Sequence, residues 1–458
     1  MRSQAPARDR PGVRTAVGTS RSPDHRSERT REVRTVDRRL PFLPLLTSSE
    51  ASNVPRIDEL ELPVLGLDAF ASSGEGYHEQ LAALTEQHRF ARLDPLGYVV
   101  LARDAVDAVL RTRDARMPAV QILELQGVTE GPVHRYLSGN LLNLEGEQHR
   151  HRRRLVSSAL SPARARELRP TMRAHVAELF AAVEADGACE FVDAVAKPYP
   201  ARMIAEIVGA PAADAQRLGD WAYWIQSALD PMKLATELPN IQAAAAEFDV
   251  YVQGLLTTSA EQTPTGLVAS LLPAVESGEL SSEQAASLIG AVLIGGVDTT
   301  QAQLAHAVRL FAERPDQWAA LAADPDLVAP AVEEVLRFEP ITPFTARLVT
   351  EDFTHDEVTF PAGTLLIASI STANRDPEVY EAPATFDLSA DRAGAALMTF
   401  GAGPHFCIGH ALARAELEEA VSYLATRIDQ LTLAGDVRHD TPSGVYGLLQ
   451  LPIRFSLR

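Results

Sequence analysis

A chain of 458 residues with 46% hydrophobic side chains can bury a large core, and its formal charge of −19 argues against nucleic acid as the main partner. Its two cysteines, Cys189 and Cys407, exclude a disulfide framework and a paired-cysteine zinc site, and they suit a reducing cytoplasm. No apolar run reaches the ~18–20 residues of a membrane span, since the longest candidate, Leu288 to Val297, stops at Asp298.

Residues 1–50 stand apart. The first forty hold 11 Arg against 5 Asp and Glu, interspersed with Ser, Thr and Pro. Such a stretch has too little apolar content to fold, so a disordered Arg-rich extension is expected. Residues 51–458 read as one domain. Apolar periodicity predicts helices at Tyr77–Gln87, Ala163–Ala185, Asp214–Leu229, Gln242–Ser259, Ser282–Arg314, Leu327–Phe338 and Ala411–Arg427. Strand-like runs occur at Gly97–Leu101, Glu357–Phe360, Thr364–Ser369 and Ile453–Leu457. A mainly α fold with a smaller β region follows.

The segment from Ser281 is unusual. Ser281 and Gln284 form a capping-box pattern, and Pro315 closes the run. A helix of that length would cover roughly 50 Å, enough to cross a whole domain. Its middle reads Gly295-Gly-Val-Asp-Thr-Thr300. Glycine and β-branched threonine are poor helix formers, so a local distortion with a purpose is expected there.

Cys407 lies in Phe400-Gly-Ala-Gly-Pro-His-Phe-Cys407-Ile-Gly409, a glycine-rich loop directly before a helical stretch. The N–H groups of a helix start favour negative charge on a nearby sulfur. A thiolate held in such a loop is what a haem iron needs as an axial ligand. Gly401 and Gly403 permit tight turns. Gly409 permits close approach to the sulfur, and Phe400 can shield it from water.

These features together resemble the cytochrome P450 monooxygenases. The cysteine loop matches the family's haem signature at Phe400, Gly401, Gly403, His405, Cys407 and Gly409. Gly295 to Thr300 matches its oxygen-activating motif, Glu334 and Arg337 its E-x-x-R, and Ala373-Asn-Arg-Asp-Pro377 has its usual place. The resemblance covers roughly residues 55–458. It implies the family fold, with haem b between the long central I helix and the cysteine-ligand loop and L helix. It implies Cys407 as the metal ligand and O2 as co-substrate. His405, the i,i+4 pair His149 and Arg153, and Arg347 match positions that bind the haem propionates. Asp298 and Thr299 match an acid–alcohol proton relay, with Gly295 and Gly296 leaving room for O2 and substrate. Glu334 and Arg337 imply a buried ion pair with a third arginine. Here the usual spacing is two residues longer, in Phe386-Asp-Leu-Ser-Ala-Asp-Arg392, and Arg392 is the candidate.

What the protein does follows from the same resemblance: insertion of one oxygen atom of O2 into a lipophilic small molecule, by hydroxylation or epoxidation, in secondary metabolism or in xenobiotic, terpenoid or steroid oxidation. Oxidative coupling or desaturation at the same haem, or a non-enzymatic haem sensor, are the alternatives. Met117–Leu142, Ala222–Leu234, Leu288–Val297, Ile341–Ala346 and Tyr446–Leu449 are expected to line the pocket. Gly401-Ala-Gly403 is followed by Pro404, so it is no dinucleotide fingerprint. Electrons must therefore come from a separate ferredoxin or flavodoxin with its NAD(P)H-dependent reductase. Arg150, Arg152 and Arg154 offer a basic face for an acidic donor. A cytoplasmic monomer without a membrane span is expected.

Overall fold

The sheets are built from strands distant in sequence. The larger has five strands, in the order Phe90–Leu93, Gly97–Val100, Leu365–Ser369, Phe344–Val349 and Ala115–Arg116. Gly97–Val100 runs parallel to Leu365–Ser369, with Tyr98 opposite Leu366. Phe344–Val349 lies antiparallel on the other side, and Arg347 is opposite Leu366. A three-stranded sheet joins Ala188–Glu190, Pro452–Leu457 and Ile428–Leu433. This computed structural model describes residues 54–66, 74–261, 265–392 and 394–458. Asn53–Arg458 forms one compact unit, and the extension expected at 1–50 lies outside the described residues.

Helices make up the rest. The central one, Ser282–Ala312, starts as its sequence dictates. Ser281 Oγ accepts from the Gln284 N–H at 3.1 Å, and Gln284 Oε1 accepts from the Ser281 N–H at 3.0 Å. The expected distortion at Gly295–Thr300 does not break it, and the helix runs continuously to Ala312. Neighbours brace the weak stretch: a Cβ on Gly296 would meet Ile204 Cδ1, from the helix Pro198–Val208, at 2.6 Å. Among the described residues this helix alone has the length and apolarity to cross a membrane, yet most of its apolar stretch is buried inside the protein. An apolar helix is what a large core requires.

Helices at Arg103–Arg111, Pro132–Gly139, Pro198–Val208, Gly266–Glu276 and Pro315–Ala323 were not expected from periodicity. Three of them open on proline at the first helical position, where its missing N–H costs nothing. The expected Gln242–Ser259 is the latter part of Pro231–Glu261, which runs through Pro239. Proline reads as a boundary in sequence, and packing overrides it here.

Candidate active site

The cysteine loop is fixed from below. Gly401 and Gly403 have φ of 69° and 68°, a left-handed conformation suited to glycine. A Cβ on Gly403 would also meet the Leu110 carbonyl oxygen at 2.6 Å, so only glycine lets the loop rest on the end of the helix Arg103–Arg111. The Cys407 N–H donates to the Phe400 carbonyl at 2.9 Å, closing the turn. The Phe400 ring lies 4.4 Å from the Arg414 guanidinium.

At the sulfur, the helix-start effect is outweighed. Burial pushes the Cys407 thiol up, while the N–H groups of Gly409 and His410 and the guanidinium groups of Arg153 and Arg414 pull the other way. A cation bound at sulfur would tip that balance toward the thiolate.

Above the loop, a cavity of about 390 Å³ separates Cys407 from the central helix. Gly295, Gly296, Thr299 and Thr300 line one side, and Phe400, Gly401, His405, Cys407 and Gly409 line the other. The rest of the wall is largely apolar, with Leu288, Val292 and Ile294 from the central helix and Ile341 beside the sheet. Tyr446–Leu449 was expected to line the pocket and does not. Tyr446 is fully buried elsewhere, bonded to Gly74 and His439, and Leu449 faces outward.

His149, Arg153, Arg347 and His405 all reach this cavity. His149 and Arg153 sit one turn apart on the helix Gly146–Ser157, as their spacing requires. Arg153 Nη2 donates to the Phe406 carbonyl at 2.6 Å, tying that helix to the cysteine loop. The His149 ring lies 4.5 Å from that of His405, and burial, helped by His405 and Arg153, lowers His149 to about 4. His405 Nε2 is 3.1 Å from Glu145 Oε1. Arg347 is buried on its strand. Its Nη1 faces Met117 Sδ at 2.7 Å, Thr345 Oγ1 at 3.2 Å and the Ala346 carbonyl at 2.8 Å, none of them an anion. Burial lowers it to about 10. A guanidinium buried among neutral atoms is costly unless an anion joins it. A flat, apolar macrocycle with two carboxylates and an iron to meet the sulfur fits this set of side chains.

On the central helix the two expected relay residues part company. Thr299 lines the cavity, and its hydroxyl donates to the Gly295 carbonyl at 2.7 Å. Asp298 is not among the lining residues. Burial raises its carboxyl to about 6, with Lys233 opposing and Asp440 adding to the rise. The two glycines also differ. A Cβ on Gly295 would meet open space, whereas Gly296 makes the close approach to Ile204. Only Gly295 leaves free volume on its Cβ side.

Glu334 and Arg337 are almost fully buried on the helix Val328–Phe338. Arg337 donates twice to Glu334, at 2.7 and 2.8 Å, and to the carbonyls of Asn374, Pro383 and Thr385. Arg392 donates to the same carboxylate at 3.2 and 3.3 Å. Two residues on the cavity wall escaped sequence reasoning, Gln303 and Glu416, whereas Met117, at the start of an expected lining segment, does line the cavity and lies against Arg347. Gln303 had a signal, lying four residues after Thr299 and so on its helix face.

Over residues 251–456 the chain matches the family pattern described as Cytochrome P450. It is 32% identical over 377 residues to luteothin monooxygenase of Streptomyces thioluteus, covering 82% of this chain and 92% of that protein. It is 34% identical over 300 residues to nocardicin C N-oxygenase of Nocardia uniformis subsp. tsuyamanensis, covering 65% and 74%. The structure of the cytochrome P450 enzyme CxnD, for C–S bond formation in chuangxinmycin biosynthesis, superposes with a TM-score of 0.79 at 28% identity, covering 87% of this chain and 99% of that one. With a sulfur-floored cavity beneath a continuous central helix that carries two glycines over it, and with relatives of this coverage, the chain belongs to the cytochrome P450 family: it is a haem-thiolate monooxygenase that uses haem b and takes O2 as its co-substrate.

Proposed function

We propose that Cys407 is the axial ligand, that Arg153, Arg347, His149 and His405 hold the haem carboxylates, and that the substrate is a lipophilic small molecule of secondary metabolism. One observation carries this reading: Cys407 faces a largely apolar cavity whose buried cation Arg347 touches no anion. When bound, haem supplies the activation of O2 and the transfer of an oxygen atom. The protein supplies position, dryness and protons. Leu288, Val292, Ile294 and Ile341 exclude water from the substrate side. Thr299 keeps its proton on the Gly295 carbonyl, leaving its oxygen free to accept from water in the cavity. Asp298, held near 6, exchanges protons on the side of Lys233 and Asp440 and passes them toward Thr299.

Electrons come from a separate ferredoxin or flavodoxin and its NAD(P)H-dependent reductase. The exposed face of the helix Gly146–Ser157, with Arg150 and Arg154, suits an acidic donor. The protein acts as a cytoplasmic monomer, residues 51–458 forming its one catalytic domain. The test is the absorption spectrum of the reduced, CO-bound protein. Wild type shows the red-shifted Soret band of a thiolate ligand, and Cys407→Ser loses it. Retention of that band in the variant would remove Cys407 from the metal.

A further inference from the structure

The cavity has a roof as well as a floor. The helix Ala215–Gln226 packs on the central helix and ends at the cavity, which Ile225, Gln226 and Leu229 line. Among the described residues, no charged side chain reaches the cavity from this helix or from Met117–Leu142. The cations on its wall are those already assigned to haem carboxylates, and Glu416 belongs to the helix that follows Cys407. An ionised substrate therefore finds no counter-charge on the roof side, and burying it there would be costly.

Most polar groups of the roof are already used. Asn140 Nδ2 donates to the Tyr136 hydroxyl at 2.9 Å, Asn140 Oδ1 accepts from the Leu142 N–H at 2.9 Å, and the Tyr136 hydroxyl donates to the Gly290 carbonyl at 3.4 Å. Gln226 differs. It is half-buried beside Ile225 and Leu229, and its side-chain amide bonds to no described residue. An amide carries donors and an acceptor without charge. Leucine or methionine would fill the same space without leaving polar atoms unused.

The backbone that carries this amide is held in place. Ser227 Oγ donates to the Tyr223 carbonyl at 2.8 Å. Asp230, 2% exposed, accepts from the Met232 N–H at 2.9 Å and from the Thr441 and Ser443 hydroxyls at 3.1 and 2.9 Å. A Cβ on Gly444 would meet Asp230 Cβ at 2.9 Å, so that loop closes tightly on the turn. An unused amide on a fixed backbone is a preorganised binding group, because little further ordering is needed when a ligand arrives.

We propose that Gln226 is the specificity-determining polar anchor of the roof, and that the substrate is an uncharged, largely apolar molecule carrying a hydroxyl, carbonyl or amide that bonds to it. This deepens the monooxygenase reading above and rests on it. The reacting carbon must sit against the haem, beside Gly295 and Thr299. Gln226 belongs to neither wall, so it holds a different part of the molecule and sets which carbon is presented.

The probes are 1-alkylimidazoles of graded chain length, which ligate iron through nitrogen and end in methyl, hydroxyl, primary amide or carboxylate. They are titrated into the ferric holoenzyme and read from the Soret shift of nitrogen ligation. At one favoured length, the ratio of hydroxyl- or amide-ended to methyl-ended affinity should fall on the order of tenfold from wild type to Gln226→Leu. Chains too short to reach should show the same ratio in both proteins. Gln226→Asn, shorter by a methylene, should move the favoured length to the next longer chain, which a merely structural role would not do. Equal ratios in wild type and Gln226→Leu at every length overturn the proposal, as does tightest binding of the carboxylate series by wild type. If Gln226→Leu does not fold, an unmoved favoured length in Gln226→Asn overturns it. Absence of the thiolate CO band in wild type would instead overturn the monooxygenase reading, while the comparison of chain ends still decides for or against Gln226.

Discussion

The guanidinium of Arg347 rests on a thioether, a hydroxyl and a carbonyl, so the protein without haem carries a buried charge it cannot pair. Replacing such a charge by an apolar side chain of similar length often stabilises by about 1–4 kcal/mol. Arg347→Met should therefore raise the urea midpoint of the haem-free protein while speeding haem loss from the holoprotein to a scavenger. A fall in both would show that the cation has a partner in the free protein. At Asp298, burial sets the carboxyl near 6, so its charge changes inside the working range. We expect the rate of NAD(P)H-supported turnover to change with an apparent pKa near that value. Asp298→Asn should flatten the profile, as measured by initial rates between pH 5 and 8. The roles proposed for Cys407, Thr299 and Arg347 were legible because their motifs fix residue type and spacing. Glu416 and the orphaned oxygen of Gln303 were not legible, because burial without a partner is a property of packing and leaves no mark on sequence.

Elements decide how firmly those side chains are held. Glu334 is 2% exposed and takes bonds from two arginines and from the Asp387 N–H at 3.0 Å. Glu334→Gln leaves both guanidinium groups short of a counter-charge, and breaking a buried pair in this way costs about 3–5 kcal/mol. Chemical denaturation should show a loss of that order, and a loss under about 1 kcal/mol would mean the cluster is exchanged for water. The capping box of the central helix is a smaller term. Ser281→Ala should cost about 1 kcal/mol without altering the CO spectrum. Sequence located this helix, its start and the helix after the cysteine to within a few residues, because each has a strong cap or a glycine boundary. It missed the short helices opening on proline and the strand Phe344–Val349, whose existence depends on a partner strand near residue 367. Strand pairing at such distances is set by tertiary context.

For the whole molecule, pH acts on a second buried cluster. Burial lowers His306 to about 3, and burial also lowers His78 and His439. Each holds a proton less firmly in the folded state than in the unfolded chain, where a histidine takes one near 6.5. The unfolded chain then binds more protons, and stability falls as pH drops below about 6.5, levelling only near each folded value. His306 alone should remove about 2 kcal/mol by pH 5. Glu339 adds a later loss. Its burial is more than offset by His78 and Arg309, so its stabilisation is present above its ordinary value and fades as pH falls below it. Urea midpoints at pH 7.5, 6 and 5 should decline in that order, and a flat series would mean that these histidines are already charged in the fold. The fold class was legible from helical periodicity, whereas this cluster unites residues 78, 306, 339 and 439, far apart in the chain.

Arg337 has a consequence for how this chain could vary. One side chain gathers the carbonyls of Asn374, Pro383 and Thr385, and its neighbour Arg392 reaches the same carboxylate despite two extra residues in the loop. The segment is anchored at points, not by a continuous run of regular structure. Its length is therefore close to a neutral character: residues can be gained or lost between anchors while the anchors stay in place. Lineages can diverge here by insertion without disturbing the cavity, and a motif defined by fixed spacing will overlook members that have done so.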